Sequence, residues 1–86
     1  SDAHKHAKQI TLHLPIENIQ PSLIDELTED CEKHKGETAL HLRVYDDIKQ
    51  NVITLIAPPV RMDKDLYHWI KMQENEEIFT HTTVQQ

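Results

Sequence analysis

The sequence predicts an α+β domain, a two-layer sandwich in the order β-α-β-β-α-β. Three observations predict it. Apolar residues alternate at Ile10, Leu12 and Leu14, and again at Leu40, Leu42 and Val44, the period of a strand with one buried face. Between those segments, Leu23, Ile24, Leu27 and Cys31 recur at the period of a helix. The single glycine and the four prolines fall between or beside the periodic segments, where chain breaks belong.

Residues 1–8 are polar and read as a disordered leader. The opening Ser1-Asp2-Ala3 resembles a cloning remnant, so the natural protein is expected to extend further. Residues 9–86 are expected to form one domain. Gln9 to Leu14 is the first strand, ended by Pro15. Pro21 suits the first turn of a helix, where its missing N–H costs nothing. The helix carries Asp25, Glu26, Glu29, Asp30 and Glu32 on its outer side, with Lys33 and Lys35 near its C-terminus, where cations suit the helix dipole. Gly36 is expected to close it in a positive-φ cap.

Thr38 to Tyr45 alternates as a second strand. Asp46 to Asn51 is a polar connection of hairpin length. Val52 to Ala57 is nearly all apolar, as a strand at the sheet centre would be. Pro58-Pro59 is expected to break the sheet. Asp63 can cap a second helix whose inner face is Leu66, Trp69 and Ile70, with Tyr67 and His68 outward. Ile78 to Val84 is rich in β-branched residues and reads as the last strand. The simplest closure is a four-stranded, largely antiparallel sheet with both helices on one face, ferredoxin-like in outline.

Eighty-six residues bury one thin core and leave little room for a deep substrate pocket. Fifteen acids against nine basic residues give a net charge of −6. Strong direct nucleic-acid binding needs a basic face, so a protein partner fits better. One cysteine excludes an intramolecular disulfide and favours a reducing, cytoplasmic setting. No apolar run approaches the roughly 20 residues of a membrane helix.

The sequence shows no catalytic constellation. His4 and His6 form an H-x-H pair in the leader, and His13 and His41 sit on outward strand faces where they could meet. A zinc site needs three or four ligands, and neither paired cysteines nor H-E-x-x-H is present, so no metal or other cofactor is expected. Cys31 and His34 have the spacing of a nucleophile and a base on one helix. Glu29, Asp30 and Glu32 surround the thiol, however, and oppose its ionisation. A single glycine excludes phosphate-binding loops. The residues left for a partner are the helix acids Asp25, Glu26, Glu29 and Asp30, together with Tyr67.

Ile10-Thr11-Leu12-His13-Leu14, the run from Pro21 to Leu27, His34-Lys35-Gly36, Val60-Arg61-Met62 and the segment Leu66 to Ile70 together resemble the C-terminal domain of the bacterial DNA polymerase III alpha subunit. The likeness spans about residues 9–81. Lys35 departs from the family's usual proline, and the final THTTV is more polar than usual. The resemblance implies a noncatalytic interaction module of a replicative polymerase. It implies docking to the clamp-loader tau subunit, with the catalytic acids elsewhere in the polypeptide. Gln9, Leu12 and Leu14 also resemble the extended hexapeptide that grips the sliding clamp, although the same residues form the first strand. The alternative is a dimeric regulatory domain that senses a small molecule.

Overall fold

The structure, a computed structural model, describes residues 3–86. Its elements are β1 (Gln9–Pro15), α1 (Pro21–Lys33), β2 (Lys35–Asp46), β3 (Asn51–Val60), α2 (Lys64–Asn75) and β4 (His81–Gln85). One four-stranded sheet has the order β3-β2-β1-β4. The α+β sandwich and its element order are as the sequence predicts.

The strand order adds a detail that periodicity does not contain. β1 and β2 are direct neighbours and parallel, Ile10 facing Leu40 and Leu14 facing Val44. β3 pairs antiparallel with β2, and β4 antiparallel with β1. The sheet is therefore mixed, with a parallel pair at its centre. The two crossovers run in opposite directions across the sheet from strands of opposite sense. Reversing both leaves the handedness rule satisfied with both helices on one face.

That face is the core. Ile10, Leu12 and Leu14 of β1 and Leu40, Leu42 and Val44 of β2 are buried beneath Leu23, Leu27 and Cys31 of α1 and Leu66 and Ile70 of α2. Asp63 caps α2 by accepting the backbone N–H of Leu66 at 3.1 Å. Phe79, between α2 and β4, is fully buried and meets Trp69 edge-on at 5.8 Å between ring centres.

Several expectations change. Residues 1 and 2 of the expected leader lie outside the described residues. From Ala3 the chain forms a 3-10 turn to His6, and Ala7 is buried. Lys8 donates its backbone N–H to Gln85 and accepts from that of Ala39. Gly36 does not cap α1: the helix ends at Lys33 with His34 as its C-cap, and no glycine has positive φ. Glycine is needed at 36 for a different reason. A Cβ there would stand 2.6 Å from the backbone nitrogen of Arg61 and 2.7 Å from the carbonyl carbon of Val60. Pro58 and Pro59 do not break the sheet; β3 continues through them to Val60. β3 is not central either. It is an edge strand, and the two prolines fall where its pairing with β2 is irregular, opposite Lys35 to Leu40, so no regular ladder bond is lost to them. Tyr67 is not turned outward but half-buried, stacked on the His4 ring at 3.8 Å. β4 starts at His81, because Glu77 takes a positive φ of 61° and the chain needs Ile78 to Thr80 to return to the sheet.

Candidate docking surface

Two helices cover this sheet unevenly. α2 lies over β1 and β4, where Tyr67 and Ile70 approach Ile10, Thr82 and Val84. α1 is tied to α2 at two points: the Trp69 indole N–H donates to Glu26 at 3.4 Å, and His34 Nδ1 donates to the Asp63 carboxylate at 2.6 Å. These are side-chain links across the helix layer. Between α1 and β3 a cleft of about 450 Å³ remains, lined by Leu27, Thr28, Cys31 and Glu32 on one wall and Ala57 and Pro58 on the other.

β3 is left bare. Register places Ile53, Leu55 and Ala57 on the helix-facing side, opposite Val44, Leu42 and Leu40. Yet Ile53 and Leu55 are 56 % and 45 % exposed. On the other side Val52 and Ile56 are 50 % and 77 % exposed. A contiguous apolar strand exposed on both faces is unusual, and such patches mark interaction surfaces. Ile24, one turn before Thr28 on the same flank of α1, is also exposed and extends the patch. Sequence periodicity placed VITLIA at the centre of the sheet, since buried and uncovered apolar strands look alike. The prolines directly after it were the available signal for an edge.

The acids of α1 divide. Glu26 and Asp30 face α2 and its surroundings. Burial pushes the Asp30 carboxyl above the usual carboxylate range, and its Oδ2 is buried without a hydrogen-bond partner. Asp25 and Glu29 stand in solvent, with Glu29 holding Lys33 at 2.8 Å. Glu32 lines the cleft. Tyr67 is on the far side of the molecule, covered by His4 and approached by the Lys71 ammonium at 5.4 Å from its ring centre. The structure does not bring Tyr67 together with the α1 acids.

Leu12 and Leu14 are completely buried in β1, between β2 and β4, while the Gln9 side chain bonds to Thr11 on the open face. A clamp could take this segment only if the central strand left the sheet. His13 stacks on His81 at 3.9 Å rather than on His41, and donates to or accepts from Thr83 at 2.7 Å. Burial, then the neighbouring His81 and Arg43, hold His13 below the usual imidazole range. Among the described residues no group of three or more His, Cys, Asp or Glu is placed to hold a metal.

Cys31 is buried, and burial followed by the Asp30 charge pushes its thiol above the usual range. His34 is turned to Asp63, so the pair does not form a nucleophile and its base. Among the described residues no helix is long and apolar enough to cross a membrane.

The family model described as "DNA polymerase III alpha subunit, C-terminal domain" matches residues 10–78. No curated protein and no solved structure matches the chain.

Proposed function

The chain belongs to the family formed by the C-terminal domain of the DNA polymerase III alpha subunit, and from that premise we propose that it is a noncatalytic docking module that tethers a replicative polymerase to the clamp-loader tau subunit. One observation carries the reading: β3 and the adjoining flank of α1 offer an apolar surface that none of the described residues covers. Burying such a surface contributes about 25 cal/mol per Å² of apolar area. The net charge of −6 points the same way, since an acidic domain is poorly suited to hold DNA phosphates but well suited to a basic protein. The sliding clamp fits this domain less well, because its candidate residues Leu12 and Leu14 are core. In this role the domain works where the replication machinery works, in the bacterial cytoplasm.

The test uses the whole polymerase chain with this domain in place. With Leu55→Asp, capture of tau falls by roughly tenfold or more, while primer extension on a short template is unchanged. Ile48→Ser, in the hairpin turn outside the surface and 94 % exposed, leaves capture intact. Failure of the unmodified polymerase chain to capture tau overturns the tethering role.

A further inference from the structure

We infer that the partner binds as an extended, alternately apolar segment carrying basic residues, which adds to the open edge of β3 as a further strand and runs alongside α1. The inference rests on the docking role above and deepens it by naming how the partner is held.

Among the described residues β3 has one strand neighbour, β2. Alternate N–H and C=O groups along its other edge therefore have no strand to pair with. Native proteins protect such an edge with charges, bulges or a covering element. β3, from Asn51 to Val60, carries no charged residue, and its register irregularities lie only near its C-terminal end, opposite Lys35 to Leu40. The free edge spans Val52 to Ala57. Pro58 and Pro59 lack N–H donors, so pairing stops there.

The distribution of apolar groups selects a strand over a helix as the occupant. A helix laid over the helix-facing side of β3 would cover Ile53 and Leu55 alone. It would leave Val52 and Ile56 on the opposite face in water, and the edge amides unpaired. An added strand alternates its side chains between the two faces. It therefore gives apolar neighbours to both pairs while completing the ladder.

Charge selects a basic partner over a second copy. Asp25, Glu29 and Glu32 are exposed on α1, and Asp46 and Asp47 stand at the hairpin end of β3. Of the nearby cations, Lys33 is engaged by Glu29 and Arg61 by Asp63, while Lys35 lines the cleft and Lys49 lies in the hairpin, leaving the acids in excess on this flank. A β3-to-β3 dimer would bring two such acidic flanks together in an assembly of two chains of charge −6. A strand with lysines or arginines meets no such repulsion and gains from the acids.

The experiment is amide hydrogen exchange on the whole polymerase chain, alone and with tau. A second arm adds a short peptide alternating valine and lysine, with a valine–glutamate peptide as control. Tau and the lysine peptide are each expected to slow exchange of amides within residues 52–57 by roughly tenfold or more, while the glutamate peptide does not. Glu32→Lys is expected to weaken both interactions, and added salt to do the same. If tau is captured but residues 52–57 stay unprotected and Leu55→Asp changes nothing, the strand-addition mode is wrong and the tethering role stands. If tau is not captured yet the lysine peptide protects the edge, the tethering role is wrong and the mode stands. Equal protection by both peptides refutes the choice of a basic partner. A neutral-pH dimer by sedimentation that Leu55→Asp dissociates makes a second copy the occupant and refutes it as well.

Discussion

Asp63 is the residue on which most of the local organisation converges. Its Oδ1 accepts from Leu66 N, and its Oδ2 accepts from His34 and from Arg61 Nη2, the latter at 3.1 Å. Burial alone would raise its pKa, but these donors outweigh it and hold the carboxyl below its ordinary value of 3.8. The unfolded chain therefore binds this proton more tightly, so the stabilisation is fully present above that value and is lost as pH falls below it. Asp63→Ala is expected to cost about 1–2 kcal/mol at pH 7, and Asp63→Asn less because the cap survives. In urea titrations both differences should shrink on acidification through the carboxylate range. His13 works in the opposite chemical sense with the same direction. Held below the ordinary imidazole value of 6.5, it resists protonation in the folded state. Its contribution is full above that pH and is lost as pH falls toward the lowered value. Replacing it in His13→Gln should flatten the stability profile between pH 7 and mild acid, measured by thermal unfolding.

At the scale of elements, the join between α1, β2 and β3 shows how a residue type can be noticed for the wrong reason. The lone glycine after a helix reads as a cap in sequence. In the fold, the His34 carbonyl accepts the Arg61 N–H at 2.6 Å, and this bond presses the start of β2 against the end of β3 at Gly36. The demand is for space, and only a long-range contact creates it. Gly36→Ala is expected to destabilise by about 1–3 kcal/mol, because the opposing atoms are backbone and yield little. Lys35→Ala beside it should stay within about 0.5 kcal/mol by chemical denaturation. β1, α1 and the start of α2 were legible within a residue or two, because each carries a strong period and a proline or capping residue at an end. β3 was legible as a strand but not in its position.

For the whole molecule, charge and the bare edge act against each other. A net charge of −6 opposes the approach of two copies at neutral pH although β3 is exposed. The sequence pI is about 5.5. Near that pH the repulsion vanishes, and the uncharged edge becomes free to pair. Light scattering should show a solubility minimum there, which Ile53→Lys relieves. An unchanged minimum in that variant would place the sticky surface elsewhere.

The sequence by itself determined the elements, their order, the two-layer class and the acidic character. These follow from local periodicity, turn chemistry and composition, each read within a few residues. It also carried the family, through spaced apolar positions along most of the chain. Only the tertiary structure decided that β1 and β2 lie side by side, that α1 is tied to α2 through Glu26 and His34, and that the strand order leaves β3 at an exposed edge. The reason is physical: an apolar strand has one composition whether neighbours cover it or leave it open. Which of these it meets depends on contacts between residues far apart in the chain.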